Sequence, residues 1–305
     1  MELRDLQTFV MVVERGGFGK AADVLCITQP AVTRQIKSLE QEIGTLLIER
    51  LGRKISLTAA GTALFVYATR LQVVMDEAKA VMADLKEGVT GRLRVGASST
   101  AATYILPGVL SQYKARYPKM ELRVQTGVSA RIVERVLKNE VDVGVVMDFE
   151  GHSQLEERIW REYSMRLLVY PNHPIAERAT EGQIPVSVLA GQSLIVMEPG
   201  TNLRGIVDRF LQETGIGVEV SLEMDNVEAI KKMVEARLGI ALLPEVAVLE
   251  EVKAGRLVDL GLLDAPEITR SVSVIFRKDK YISGALLFFM EMIFGKFHYE
   301  REKPL

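Results

Sequence analysis

The chain has 305 residues, 48% of them hydrophobic and 26% charged, with 38 Lys and Arg against 40 Asp and Glu for a net charge of −2. That length corresponds to about two domains with real cores, and the composition excludes disordered, collagen-like and disulfide-stapled classes, since Cys26 is the only cysteine. No apolar run approaches the ~20 residues of a membrane helix and MELRDLQTFVMVVERGG has no secretory signal order, so a soluble protein of a reducing cytoplasm is expected, with no membrane partner.

The first fifty residues read as three short helices. Leu3, Leu6, Phe9, Val10 and Val13 recur at helical spacing until Gly16 and Gly17. Phe18, Ala21, Ala22 and Leu25 form a second stripe. Thr28 then stands as the N-cap of a third helix, with Pro30 in its first turn and Val32, Ile36, Leu39 and Ile43 on its apolar face. Two helices joined by so tight a turn form a helix-turn-helix. Residues 46–57, LLIERLGRKISL, have apolar ends around a charged centre, which suits a β hairpin, or wing, with Arg50, Arg53 and Lys54 at or near its tip.

Charge is unevenly spread along the chain. Over residues 29–58 the bases Arg34, Lys37, Arg50, Arg53 and Lys54 outnumber Glu40, Glu42 and Glu49, so this segment is positive within an acidic protein. Screening beyond about 10 Å at ordinary salt lets such a local face bind DNA.

A heptad seam follows: Leu64, Ala68, Leu71, Met75, Ala78, Met82 and Leu85, with Thr58 able to cap its start and Gly88 to end it. The helix would run about 30 residues, or ~45 Å. A second row at Tyr67, Val74 and Val81 widens the apolar face beyond what a small N-terminal domain can cover, which predicts pairing with another subunit. From Gly91 onward strands alternate with helices. RLRVGA (92–97), MELRVQT (120–126) and VDVGVVM (141–147) bracket two helical stripes in a βαβαβ unit, and MRLLVYP (165–171) opens a second series through SLIVM, VEVSLEM and GIALLP. SVSVIF (271–276) and a last apolar helix close the chain. Two α/β units imply two lobes and a cleft between them.

The segment FGKAADVLCITQPAVTRQIKSLEQEIG (18–44) resembles the helix-turn-helix of the LysR-type transcriptional regulators, and ERLGRKISLTAAG (49–61) resembles their wing and the start of their linker helix. RLRVGASST, VDVGVV and LGIALLP stand in that family's order, so the resemblance spans essentially the whole chain. It implies an N-terminal all-α winged helix-turn-helix over 1–58, a linker (dimerisation) helix over 59–90, and an α/β two-lobed effector-binding domain over 91–305 resembling type 2 periplasmic binding proteins. Its lobe I would take 91–163 and 267–305 and its lobe II 164–266. Three positions depart from the pattern: Gly17 where Ser is common, Ile48 where Phe is usual, and Arg237 where Gly is usual. Ile48 is a modest apolar swap, whereas Arg237 adds a charge at a turn.

DNA reading needs a helix tip carrying short polar side chains, which Thr28, Gln29, Pro30 and Thr33 supply. Gln29 suits adenine, Pro30 or Ala31 a thymine methyl, and Arg34 and Lys37 guanine or phosphate, while Arg53 on the wing suits the minor groove or its phosphates. By resemblance Gln29, Thr33 and Arg34 come first, on an interrupted palindrome in promoter DNA, with RNA polymerase as a further partner. In the cleft, helix starts at Ser98, Ser99 and Thr100, at Gly127 and Ser129, at Thr201 and Asn202, and at Asp225 and Asn226 suit a small anion. The resemblance places the effector at these same four starts and implies a homodimer or homotetramer whose DNA-binding geometry the effector modulates. The plainer role for each polar residue is a helix N-cap.

Catalysis finds little support. His152, His173 and His298 are scattered, and neither a G-x-S-x-G nor a phosphate-loop frame occurs, so no catalytic residue, cofactor or metal is expected. Cys26 reads as a small buried apolar residue, and Trp160 and Tyr163 as packing between lobes or at a subunit contact. A second class, a cytosolic binding protein or enzyme with an N-terminal assembly module, does not account for the bases of 29–58.

Overall fold

The computed structural model describes residues 1–51, 54–84 and 91–295, in two compact units, Met1–Gly88 and Val89–Leu305. Arg53, Leu85, Gly88 and His298, and the side chains of Arg50, Lys54 and Val81, lie outside the described residues.

In the first unit α1 (Leu3–Arg15), α2 (Phe18–Leu25) and α3 (Gln29–Ile43) precede the hairpin β1 (Ile48–Leu51) and β2 (Lys54–Leu57), and α4 (Ala59–Asp84) follows. The unit is therefore not all-α: Ile48 pairs with Leu57 and Leu51 with Lys54 in an antiparallel wing. Its core joins Leu6 and Phe9 of α1 to Val32, Ile36 and Leu39 of α3, with Leu47 and Ile48 sealing the hairpin side. Ile48, in place of a larger ring, is buried there.

Three local expectations need correction. Thr28 occupies the N-cap position with extended backbone, but its side chain makes no capping hydrogen bond. Cys26 is exposed, because it takes the left-handed conformation (φ 54°) that ends α2 and turns its thiol away from the core. Within the predicted subunit seam, Leu64 is half-buried and Ala68 fully buried against this unit's own core. Other apolar positions of the helix, Tyr67, Leu71, Val74 and Met82, are exposed, since the head's core does not reach them.

The second unit begins with β3 (Gly91–Ser98), a π-helical turn (Ala101–Ile105), α5 (Leu106–Arg116), β4 (Met120–Gly127), α6 (Ser129–Leu137) and β5 (Val143–Met147). β4 and β5 flank β3 in parallel, as the βαβαβ pattern requires. Gly144 lets α6 settle on this sheet, because a Cβ there would stand 2.9 Å from a methyl of Val136.

β6 (Leu155–Val169) is one strand of 15 residues, where the sequence suggests a start only at Met165. Its polar, alternating first half hides the strand from a search for apolar runs. The chain continues through α7 (Pro174–Glu177), β7 (Gln183–Pro185), β8 (Ser193–Met197), α8 (Asn202–Thr214), β9 (Glu219–Met224), α9 (Val227–Glu235), β10 (Ala241–Pro244), α10 (Leu249–Lys253), β11 (Val258–Leu263), β12 (Thr269–Arg277) and α11 (Gly284–Phe294).

β6 belongs to both lobes. Its residues Leu155–Ser164 pair with β12, which joins β5, while Met165–Leu168 pair with β10 and Leu167–Val169 with β11. Parallel β8 and β9 attach through a bridge from Leu194 to Ile240. One apolar core, around Leu93, Val145, Phe276 and Phe289, supports the lobe of β3, and another, around Leu167, Leu194, Phe210 and Leu242, the lobe of β8. Trp160 sits at a bulge between the residues opposite Ser273 and Val272, and with Tyr163 it packs on the first of these cores and not between lobes.

Candidate DNA interface and ligand cleft

α3 buries one face and presents the other. With Val32, Ile36 and Leu39 turned into the core, Gln29, Pro30, Thr33, Arg34, Lys37, Ser38 and Gln41 line a shallow open groove on the outer side. Gln29, Pro30, Arg34 and Lys37 are exposed and Ala31 and Thr33 half-buried. Sequence reasoning missed Ser38 and Gln41, although they stand one and two turns beyond Arg34 on the same face. Among the described residues neither Arg34 nor Lys37 has an ion-pair or hydrogen-bond partner, which leaves both cations free for phosphate or base edges.

Short polar links tie α3 to α1 and to the root of the wing, and the wing to α4. Thr8 Oγ1 donates to Gln35 Oε1 at 2.8 Å, and Glu40 Oε1 accepts from the Leu47 amide at 2.9 Å and the Ile48 amide at 3.3 Å. Thr58 Oγ1 donates to Leu46 O at 2.7 Å and accepts from the Gly61 amide at 2.9 Å, capping α4 against the root of the hairpin. Gly61 makes this approach possible: a Cβ there would lie 2.0 Å from Leu47 O.

In the second unit a cavity of about 270 Å³ opens between the lobes at the carboxyl ends of β3, β4, β5, β8 and β9. All eight predicted ligand residues, Ser98, Ser99, Thr100, Gly127, Ser129, Thr201, Asn202 and Asn226, line it, together with Asp225. Their roles differ. Thr201 caps α8 by accepting from the Arg204 amide at 3.2 Å and Asn226 caps α9 by accepting from the Ala229 amide at 2.7 Å. Ser129 Oγ donates to Met147 O at 3.1 Å and Ser99 Oγ to Gly127 O at 3.5 Å. Neither Thr100 nor Val128, the residue before α6, makes a side-chain cap. Ser98 Oγ is buried with no hydrogen-bond partner among the described residues.

Several lining residues gave no signal in the sequence, because they come from unrelated segments. Arg270 of β12 reaches the cavity already neutralised, its Nε and Nη2 2.7 and 2.5 Å from Asp148 Oδ2. Tyr104, from the π-helical turn, donates its hydroxyl to Glu228 Oε1 of α9 at 2.5 Å, joining one lobe to the other. Asn202 Nδ2 makes a second such link to Asp148 O at 3.4 Å. Behind Glu228 lies Lys231, nearly fully buried, its Nζ 2.8 Å from Glu228, 3.1 Å from Glu251 and 4.9 Å from the Tyr104 ring centre. Burial and then the Glu228 hydrogen bond raise the Tyr104 phenol well above its usual range. Burial pushes the Glu228 carboxyl up, but Lys231 and Tyr104 outweigh it and hold the group below its ordinary value.

The two described histidines have structural roles: His173 Nδ1 caps α7 by accepting from the Ile175 amide at 3.1 Å, and His152 Nδ1 accepts from the Gln154 amide at 3.2 Å. Among the described residues no group of three His, Cys, Asp or Glu side chains is placed to hold a metal ion, and no helix is long and apolar enough to cross a membrane.

Comparison with known proteins decides which family unites these features. The family model for the bacterial regulatory helix-turn-helix protein, lysR family, matches residues 3–62, and that for the LysR substrate binding domain matches residues 86–297. The chain belongs to the LysR family of transcriptional regulators. An uncharacterized HTH-type transcriptional regulator, YwqM, of Bacillus subtilis (strain 168) is 33% identical over 96% of this chain and 98% of its own. The HTH-type transcriptional activator CmpR of Synechocystis sp. (strain ATCC 27184 / PCC 6803 / Kazusa) is 30% identical over 96% and 95%. Among solved structures, a full-length OxyR variant from Pseudomonas aeruginosa shares the fold at a TM-score of 0.73 and 23% identity, covering 96% of this chain and 93% of that one. Full-length CbnR bound to its target DNA follows at a TM-score of 0.69 and 23% identity, covering 96% and 99%. This LysR-family chain is thus a DNA-binding transcriptional regulator with an effector-binding domain.

Proposed function

We propose that this regulator reads promoter DNA with the outer face of α3, Gln29, Thr33 and Arg34 contacting base edges while Thr28, Pro30, Ala31 and Lys37 complete the surface. Arg50, Arg53 and Lys54 of the wing hold the adjacent backbone or minor groove. The observation that carries this reading is the pair of cations, Arg34 and Lys37, unpartnered among the described residues, on the solvent face of a helix whose other face is locked into the core. The domains are taken as 1–58, 59–90 and 91–305, with the lobes exchanging at 163/164, where β6 passes from β12 to β10, and at 266/267, between β11 and β12.

The stretch of α4 beyond Ala68, with Leu71, Ala78 and Met82 exposed and Met75 half-buried, serves to pair two copies, and dimers or tetramers then set the spacing of the reading heads on an interrupted palindrome. A small molecule in the interlobe cavity biases that spacing, by favouring one of two pre-existing arrangements. The protein acts in the cytoplasm on RNA polymerase at the promoter and catalyses no reaction.

The test is fluorescence anisotropy of the full chain on the DNA upstream of its own gene, against a scrambled duplex, over a salt series. Preference for the native duplex with affinity falling steeply as salt rises is expected. Arg34→Ala should cost about 1–3 kcal/mol of that preference. Equal and weak binding to both duplexes, or wild-type affinity in Arg34→Ala, would refute the assignment.

A further inference from the structure

Resting on the reading of the interlobe cavity as the effector site, we propose that the effector is dipolar: a protonated amine held by Glu198 and Asp225 on one lobe, and an acidic group reaching Ser98 on the other. A purely anionic ligand, the natural expectation from hydroxyl-rich helix starts, leaves half of the cavity's charge unanswered. Met197 pairs with Met224 across parallel β8 and β9, so the next residues on each strand, Glu198 and Asp225, emerge side by side at the cavity wall. The Glu198 amide donates to Met224 O at 2.8 Å, which holds the two strand ends together at that point. Neighbouring strands lie about 4.8 Å apart, and like charges so placed repel.

Neither carboxylate has a cationic partner among the described residues. The nearby cations are already committed: Arg270 to Asp148, Lys231 to Glu228 and Glu251, and Arg204 to Asp208 and Glu223. Asp225 receives only the side-chain amide of Asn226, at 2.7 Å. A pair of adjacent, unpaired carboxylates facing a cavity is an arrangement that a bound cation would relieve.

The opposite lobe has the complementary character. Ser98, 4% exposed, turns a buried hydroxyl with no partner to the same cavity, and a buried polar atom without a hydrogen bond calls for one. Beside it α6 starts without a side-chain cap, so its first-turn N–H groups are open to an acidic oxygen, whereas in α8 and α9 Thr201 and Asn226 each already take one such amide, that of Arg204 and that of Ala229. An acid end on the lobe of β3 and an amine end on the lobe of β8 describe an amino acid or a compound of that pattern. The cavity, at about 270 Å³, has the size for a small one.

The experiment pairs molecules that differ at the amine or at the carboxylate. Binding of the common L-amino acids to the full-length protein is compared, by thermal shift and then calorimetry, with the 2-oxo acids of the same side chains and with the amines lacking the carboxylate. At least one amino acid should bind about tenfold or more tightly than both its 2-oxo acid and its amine. Glu198→Gln with Asp225→Asn should erase the preference over the 2-oxo acid, and Ser98→Ala the preference over the amine. The single variant Glu198→Gln should lose part of the first preference. If 2-oxo acids or inorganic phosphate bind as well as or better than every amino acid, and the double amide variant keeps or gains that binding while Ser98→Ala loses it, the amine assignment is overturned and the cavity reading stands. Binding insensitive to all three variants removes the ligand from the cavity and overturns both. Absence of binding by every amine-bearing compound overturns the proposal as well.

Discussion

Gly61→Ala sets two magnitudes against each other in opposite directions. In an unconstrained helix the change is favourable by about 1 kcal/mol, because alanine restricts the unfolded chain and fits the helix. At Gly61, however, the new Cβ would stand 2.0 Å from Leu47 O, 2.9 Å from Leu47 C and 3.0 Å from a methyl of Leu57. These atoms are backbone and hairpin core, so α4 or the wing must move by more than an ångström, disturbing the Thr58 links at 2.7 and 2.9 Å. Overpacking of this kind costs about 3 kcal/mol, which leaves a net loss of about 2 kcal/mol. For a unit of this size that is a fall of about 10 °C in melting temperature. Gly205 is the matched control: it lies inside α8 with nothing within 4 Å of a Cβ, so Gly205→Ala should be neutral or stabilising. Scanning calorimetry of the full chain reads both. Fluorescence of Trp160, the single tryptophan, reports only the second unit and should be unchanged by Gly61→Ala. DNA affinity should fall together with the first unit's transition. A Gly61→Ala protein that melts with the wild type, or a Gly205→Ala protein that loses as much, would refute the close-approach argument.

Further outcomes are expected elsewhere in the chain. Asp142 is buried, which pushes its carboxyl up, but the Arg94 hydrogen bonds and Lys280 at 3.0 Å outweigh that and hold it below the usual carboxylate range. Its stabilisation is therefore complete above the unfolded value of about 4 and lost as pH falls through the lower folded value. Asp142→Asn should cost about 3 kcal/mol at neutral pH and flatten the acid dependence of the urea midpoint followed by Trp160, and an equally steep acid dependence in the variant would contradict this. Arg237 adopts φ 65° where α9 ends, a conformation costing a non-glycine residue about 1 kcal/mol, partly offset by its guanidinium 5.2 Å from the Tyr170 ring centre. Urea midpoints should rank Arg237→Gly above wild type and wild type above Arg237→Ala; glycine falling below wild type would show that the ring contact outweighs the strain. Met75→Lys places a charge on the open part of α4 and should shift sedimentation toward a smaller species, whereas an unchanged oligomer would move the subunit contact elsewhere.

The helical head was legible because its signals are local. Gly16, Pro30 and the apolar spacing of Val32, Ile36 and Leu39 act within a few residues, and the structure starts and stops its helices beside them. The same locality misled at Ala68, whose heptad position says only that it faces something apolar; the head's own core claims it. β6 was half hidden because residues 155–164 are polar on one side and are made a strand by β12, more than a hundred positions away. In the cleft, Ser98, Thr201 and Asn226 could be named from helix starts, while Arg270 and Tyr104 could not, since nothing around them in the chain marks a site.

By itself, then, the sequence determined the secondary elements with local periodicity and stops, the basic reading helix and, through its motifs, the family. Tertiary structure alone decided which apolar side chains stay uncovered, that Arg270 arrives neutralised by Asp148, and that Glu198 and Asp225 stand together without a cation among the described residues. The physical reason is range. Capping, turns and helix faces depend on neighbours in the chain, whereas burial, ion pairing and unpaired charge depend on which distant segments the sheet brings into contact.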